Sequence, residues 1–328
     1  MPTHYLYGTI LTAEAVAANN RGDNIGNTTT LQKVFVGDDL HTSVSAEAIR
    51  FALRYRFQLQ GAKVNRTFEV REGKLTYKDE TRTTWGSPGG DHFVDDDLMG
   101  FMDAKAAQQE QEAETAADEA EATTDKKKKP KKKGTTTKRT SPLAVGRAVS
   151  LRPYRGEISF NCVSGQKEEG RLSLYSAEMH TTEYQYSFGL NLGDVVAKVN
   201  IAHLIDAIVD PPAVAGNHSR FAYDFSPASI ILRLTSCHSS RIQNCFEHDE
   251  QARSYAIGRL LHKIKAGDLP TSEIIVGGIV AQTDLGAQLK ALGVSVLDGV
   301  LAAAGEAKSR IARLGGEFTV VGSRREGQ

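Results

Sequence analysis

The sequence lacks several features that mark common classes of protein. Its 3 cysteines are too few and odd in number for a disulfide framework, so we expect a reducing, cytoplasmic environment. No run of about 18 apolar residues is present to span a membrane, and the first residues lack the basic-then-apolar order of a secretory signal. With 328 residues, 40% of them hydrophobic, the chain is long enough to bury a globular core.

Motifs of common enzymes are also missing. The chain has no serine hydrolase elbow, phosphate-binding P-loop, dinucleotide fingerprint or paired CxxC zinc site. Cys237, His238, Cys245 and His248 do not match the spacing of a standard zinc finger. The adjacent carboxylates of 95–97 splay around a helix and cannot all face one metal, so we expect them to cap a helix over 98–104. We therefore expect no catalytic residue, cofactor or metal.

The charges are balanced but segregated. Lys and Arg number 40, as do Asp and Glu, and the formal net charge is zero. An acidic Ala/Glu block is followed by the lysine run "KKKKPKKK", and this 104–140 segment has no aromatic or branched apolar residue with which to build a core. We expect it to be a disordered insertion, with the lysines serving either as a solvated linker or as a nucleic-acid tether.

Hydrophobic patterns along the rest of the chain predict alternating strands and helices. The sequence "EYQYSFGLNL" alternates aromatic or leucine side chains with polar ones, which is typical of a strand with one core face and one polar face. Two strand-like runs around "SGQKEEG" predict a long hairpin. The remaining predicted strands are 4–12, 229–235, 273–282 and 316–322, and the later helices are 194–208, 249–265 and about 295–312. The pattern predicts an α+β fold, an open sheet with helices on one side.

The stretch "TSVSAEAIRFALRYR" predicts a helix capped by Ser45. Its apolar residues form one stripe, and Arg50 and Arg54 lie one turn apart beside that stripe. We expect an Asn/Gly loop over 19–27 and a basic, aromatic loop over 216–227, which together with the arginines favour single-stranded nucleic acid. Two alternatives stay open: a solvated helix face with Glu47 paired to Arg50, and core packing of the loop aromatics.

Six segments, in order, carry a resemblance to a known family. They are "AANNRGDNIGNTTTLQKV", "HTSVSAEAIRFALR", "WGSPGGDHFVDDDLMGFM", "KRTSPLAVGRAVSL", "HTTEYQYSFGLNL" and "GNHSRFAYDFSP". The chain resembles the DevR-type (RAMP) backbone subunit of the type I CRISPR surveillance complex called Cascade, with subtype I-B expected. The resemblance covers nearly the whole chain apart from 104–140.

The resemblance implies an RRM-like (ferredoxin-like) palm that carries helical fingers and a β-hairpin thumb. The implied divisions are palm over 1–61, 146–161 and 183–328, fingers over 62–145, and thumb over 162–182. The implied partners are CRISPR RNA, target DNA paired to it, other Cascade subunits and further copies of the chain in a head-to-tail filament. The implied RNA-binding residues are Asn20, Arg21, Lys33, Ser43, Ser45, Arg50, Arg54, His218 and Arg220.

Two other functions are compatible with parts of the sequence. Related type III backbone subunits cleave target RNA with a loop aspartate, and Asp23 stands in a comparable predicted loop. The family label also allows a stand-alone transcriptional autoregulator, although no helix-turn-helix pattern is visible to bind duplex DNA.

Overall fold

A computed structural model defines the conformation of most of the chain. The residues it describes are 4–18, 21–85, 90, 92–102, 138–162, 174–215, 223–249 and 254–315. Within them the helices are α1 (Ala46–Leu59), α2 (Val94–Met99), α3 (Val199–Val209), α4 (Gly258–Lys265), α5 (Asp284–Ala291) and α6 (Val300–Arg313). No described helix is long and apolar enough to cross a membrane.

Twenty strands are found in the same residues. In the first third of the chain they are β1 (Tyr5–Thr12), β2 (Ala15–Ala17), β3 (Arg21–Ile25), β4 (Thr28–Leu31), β5 (Lys33–Val36), β6 (Asp39–Val44), β7 (Arg66–Glu69), β8 (Lys74–Tyr77) and β9 (Phe101–Met102). After them come β10 (Lys138–Arg139), β11 (Leu143–Val145), β12 (Ala148–Ser150), β13 (Glu157–Cys162), β14 (Leu174–Thr182), β15 (Tyr184–Asn191), β16 (Pro227–Thr235), β17 (Glu247–Asp249), β18 (Ser254–Ala256), β19 (Ile274–Gly278) and β20 (Ser295–Leu297).

The central element is a nine-stranded sheet in the order β20-β19-β16-β1-β15-β12-β6-β5, with β11 pairing β15 beside that path. Strand β1 lies between β15 and β16 and runs antiparallel to both, with Gly8 opposite Phe188 on one side and Leu232 on the other. The β-rich segments near the start, middle and end of the sequence thus meet as neighbours. The predicted strands 4–12, 183–192 and 229–235 are confirmed to within about two residues.

Helices cover both faces of this sheet, so the prediction of helices on one side is wrong. Leu6 and Ile10 of β1 pack in a core that includes residues of α1, α3 and α6. Leu11, on the opposite face of the same strand, packs with residues of α4 and α5. The mixed α+β class is as predicted. The helices on the second face are hard to predict because α5 and the loop before α4 each contain few apolar residues. These residues become buried only where the folded chain brings them against Leu11 and its neighbours in the sheet.

A smaller sheet holds the predicted hairpin. Strands β13 and β14 pair antiparallel from Glu157 opposite Met179 to Cys162 opposite Leu174, which confirms the pairing, while the predicted turn between them lies outside the described residues. Strand β14 also pairs with β4 in parallel, and β4 pairs with β3. The predicted Asn/Gly loop is therefore a hairpin over 21–31, because β14 supplies hydrogen-bonding partners that the local sequence does not reveal.

Several predicted boundaries also need correction. The segment 249–265 begins at the last residue of β17 and contains β18 and a helix that begins only at Gly258. The predicted helix near 295 is a strand, β20, before α6, and helix α5 was not predicted. The expected insertion ends earlier than residue 140, because Lys138 and Arg139 pair with β9. The predicted strand 316–322 and the rest of the insertion, 104–137, lie outside the described residues.

The adjacent carboxylates of 95–97 lie inside helix α2, which begins at Val94, four residues before the predicted helix start. All three are buried. Asp95 accepts hydrogen bonds from the backbone N–H groups of Asn65 and Arg66, at 2.8 and 3.0 Å. Asp97 accepts from the backbone N–H groups of Val196 and Ala197, at 3.0 Å each. These carboxylates therefore hydrogen-bond to other segments of the chain, and they connect α2 to the 63–66 segment and to the residues just before α3.

Candidate nucleic-acid interface

The first predicted site element, helix α1, begins where the sequence places it. Ser45 is its N-cap, and the Ser45 Oγ accepts a hydrogen bond from the Ala48 N–H at 3.2 Å. Ile49, Leu53 and Phe57 are buried, as the stripe predicted. The helix is thereby fixed to the sheet by one face, and this leaves Arg50 and Arg54 on the flank.

The two arginines of that flank have different environments. Arg50 donates to the carbonyl oxygens of Met99 and Leu143, at 2.9 and 3.0 Å. Its guanidinium therefore joins α1 to the end of α2 and to β11. The alternative of a solvated Arg50 paired with Glu47 is not observed.

Arg54 has a different environment, without such backbone partners in the described ranges. It is half-buried, and among the residues that the structure describes none accepts a hydrogen bond from its guanidinium. Burial, followed by the neighbouring charges of Arg66 and Arg50, lowers the pKa of Arg54 to about 10, against the opposite effect of Asp95 and Asp96. A bound phosphate would relieve this repulsion between cations.

The serine and lysine residues before α1 are tied to neighbouring strands. Lys33 donates to the carboxylate of Glu178 on β14, and its ammonium lies 4.6 Å from the centre of the Tyr154 ring. The Ser43 side chain is buried, and its Oγ accepts from Arg147 Nη1 at 3.2 Å. Sequence reasoning missed Arg147, an exposed cation between β11 and β12. The signal was present in the segment "AVGRAVS", where an arginine follows a glycine between two short β-rich runs.

The other predicted residues divide into two groups. Asn20, His218 and Arg220 lie outside the described residues, and Arg21 is described only as the backbone start of β3. The described aromatic residues of the 216–227 loop, Tyr223 and Phe225, are buried in the core, and Phe225 stacks on Tyr184 and Tyr186 at 5.9 and 5.8 Å. The structural alternative for these aromatics is therefore correct.

Metal-binding geometry is not found in the described ranges, where no three His, Cys, Asp or Glu side chains come close enough together to hold an ion. Cys245 is buried, and His238 Nδ1 lies 2.8 Å from the hydroxyl of Tyr5. Asp23 is exposed on β3, where its backbone carbonyl accepts from Thr30 Oγ1 at 2.5 Å.

Comparison with solved structures shows where this fold occurs. A chain of a structure titled "CRISPR RNA-guided surveillance complex" matches with a TM-score of 0.54 at 14% identity, covering 92% of this chain and 99% of that one. A second, titled "CRISPR RNA-guided surveillance complex, pre-nicking", matches with a TM-score of 0.52 at 13% identity, covering 92% of this chain and 100% of the other. At these identities the likeness concerns the fold alone.

Sequence comparison is more specific. The family described as "CRISPR-associated negative auto-regulator DevR/Csa2" matches residues 8–257. A protein of Myxococcus xanthus (strain DK1622) described as "CRISPR-associated protein Cas7/Cst2/DevR" is 36% identical over 316 residues, which cover 94% of this chain and 97% of that protein. The chain belongs to the DevR/Csa2 family of CRISPR-associated proteins, the Cas7/Cst2/DevR group.

Proposed function

We propose that this chain is a CRISPR RNA-binding backbone subunit of a Cascade-like surveillance complex. The observation that carries the proposal is the family match, which extends over residues 8–257 and thus includes the flank of α1. The half-buried Arg54 agrees with it, because a phosphate would fill the one strongly cationic position on that flank that lacks a hydrogen-bonding partner in the described chain.

In this proposal the main sheet is the RRM-like palm, 62–145 forms the fingers and 162–182 the thumb. The guide RNA runs past the Asn20 and Arg21 segment and the flank of α1, in contact with the residues that the resemblance implies, including Lys33, Ser43, Ser45, Arg50, His218 and Arg220. Ile158 and Phe160 support a role for the hairpin, since both are more than half exposed on the same face of β13. Exposed apolar side chains on one face favour contact with bases or with a neighbouring subunit.

Assembly would follow from a head-to-tail contact that does not close on itself, which generates a helical filament of copies along the guide. Sequence would be read by base pairing with target DNA, so the protein needs to hold only the RNA backbone. Subtype I-B and a cytoplasmic location belong to the same proposal. The subunit would position nucleic acid for a separate nuclease.

The proposal is tested by co-purification. The chain is expressed with the companion subunits of its complex, and the bound nucleic acid is extracted and sequenced. We expect RNA of uniform length that carries repeat sequence at its ends. Heterogeneous cellular RNA, or no RNA, would contradict the proposal. Cleavage of complementary RNA that is lost in Asp23→Ala would instead assign a ribonuclease activity to the chain.

The contact itself is tested with Arg54→Gln, which removes one cation and retains hydrogen-bonding capacity. We expect weaker retention of guide RNA and a decrease of about 0.7 in the slope of log affinity against log salt concentration, the value for one phosphate contact on a single strand. Arg56→Gln on the same helix is the matched control, because Arg56 pairs with Asp210 and is outside the proposed set. Equal effects of the two substitutions would show that Arg54 makes no specific phosphate contact.

A further inference from the structure

The polar face of the main sheet is only partly covered by the second helical layer. Between β12, β15 and the segment 243–248 lies an open cleft of about 590 Å³. Its floor includes Gln185 and Ser187 of β15 and Val149 of β12. These residues alternate with Tyr184, Tyr186 and Ala148, which face the core on the other side of the sheet. The cleft is therefore the uncovered part of the polar face.

Hydrogen bonds fix the floor of the cleft to its walls. The Gln185 side chain donates to the carbonyl oxygen of Phe246 at 3.3 Å and accepts from the Phe246 N–H at 2.9 Å. His41 Nδ1 lies 2.7 Å from the carbonyl oxygen of Ser150, and Ser187 Oγ lies 3.0 Å from Thr9 Oγ1. Because these polar groups already have partners inside the protein, the cleft keeps its shape without a ligand.

An arginine side chain lies on each side of the cleft opening. On the strand side, Arg147 donates to Gln32 Oε1 and to Ser43 Oγ, both at 3.2 Å, and so connects the cleft with the proposed path of the RNA. On the helix side, Arg259 of α4 lies 2.9 Å from a carboxylate oxygen of Glu247. The charge of Arg259 is thus partly balanced, and an anionic group is expected to bind first at Arg147.

This combination of size, lining and charge defines the ligand. A volume near 590 Å³ lies in the range of small-molecule sites of about 300–1,000 Å³. Val36, which is half exposed, and Val149 offer apolar contact, Gln185 and Ser187 give the floor a polar, uncharged part, and the cations lie at the rim. A flat, neutral ring bearing an anionic group at its edge fits that arrangement, whereas a simple anion would leave the apolar walls unused.

We propose that the cleft binds one nucleotide of a single-stranded nucleic acid, with its base above the β12 and β15 floor and its phosphate at Arg147. This proposal rests on the proposed function and adds a second contact, outside the residues assigned to the α1 flank. The nucleotide belongs either to the guide RNA or to the target strand, and the chemistry of the site is the same for both.

Photocrosslinking in the assembled complex tests the proposal. One sample carries guide RNA made with 4-thiouridine, and a second carries unmodified guide paired with target DNA containing 4-thiothymidine. After irradiation, crosslinked peptides are identified by mass spectrometry. We expect crosslinks to peptides that contain 146–151 or 243–248, and the sample that yields them identifies the source of the nucleotide.

Substitutions in the cleft test whether the crosslinks depend on it. Gln243→Trp fills the cleft from an exposed position, and Arg147→Gln removes the phosphate contact; each should lower crosslinking at these peptides at least fivefold while guide RNA stays in the complex. Lys265→Gln, on the same helix as Arg259 but outside the cleft, should leave crosslinking unchanged. Guide RNA that is retained with crosslinks only elsewhere would overturn this proposal alone, whereas loss of all bound RNA in the wild type would overturn the proposed function and this proposal with it.

Discussion

Asp97 is the carboxylate on which the junction of α2 and α3 depends. Its side chain has no exposed surface and accepts from four donors. Beyond the backbone N–H groups of Val196 and Ala197, Asn200 Nδ2 donates to it at 2.8 Å and Arg139 Nη2 at 2.6 Å. The substitution Asp97→Asn keeps the shape of the side chain but removes its charge and turns an NH2 group toward at least one of these donors.

The expected cost follows from the number and kind of the lost contacts. A hydrogen bond to a charged group contributes about 1.5–3 kcal/mol, and breaking a buried ion pair by removing one partner costs about 3–5 kcal/mol. Because the Arg139 charge stays nearly buried after the substitution, we expect the free energy of unfolding to fall by about 3–5 kcal/mol. The melting temperature should then fall by about 5 °C or more.

The measurement is urea and thermal unfolding followed by circular dichroism. Asp38→Asn, in the exposed turn between β5 and β6, is the control and should change the free energy of unfolding by less than about 0.5 kcal/mol. If Asp97→Asn stays within about 1 kcal/mol of wild type, the carboxylate does not hold this junction and the reasoning is refuted.

Two further predictions concern pH. Burial, with the charges of His41 and Arg152, lowers the pKa of His180 to about 4, so the stability that its neutral form contributes is present above pH about 6.5 and is lost as pH falls through about 4. Between pH 7 and 4 the wild type should lose about 3 kcal/mol more stability than His180→Gln, measured by urea unfolding; equal losses would contradict this assignment. Burial raises the pKa of Glu183, so its charged form costs stability once pH exceeds the unfolded value of about 4.3. Glu183→Gln should therefore gain stability relative to wild type as pH rises from 4 to 7, and a constant difference would refute that cause.

The fold was predictable where a single segment carries its own signal. The alternation in "EYQYSFGLNL" and the cap and stripe of α1 depend on neighbours two to four residues apart, and both elements were placed nearly correctly. The hairpin over 21–31 was not, because its polar residues also depend on the distant strand β14 for hydrogen-bonding partners. Strands β17 and β18 were missed for another reason: they pair with each other, and at three residues each they are too short to show an alternating pattern.

The candidate site shows the same division. Helix geometry alone placed Arg50 and Arg54 on one flank. Their difference depends on contacts distant in the chain: Arg50 meets the carbonyl oxygens of Met99 and Leu143, and Arg54 lies beside Arg66. Arg147 was not predicted from the sequence, because its hydrogen bond to Ser43 joins residues 104 positions apart.

By itself the sequence determined the α+β class, the position and capping of α1, the central strands β1, β15 and β16, and the family to which the chain belongs. These properties depend on local periodicity and on the order of short motifs, and both are present in the amino-acid sequence itself. Only the tertiary structure decided which charges are balanced inside the protein, that helices cover both faces of the sheet, and that a cleft stays open on its polar face. Burial and hydrogen-bonding partners are set by segments distant in the chain, and no local pattern records which of them will meet.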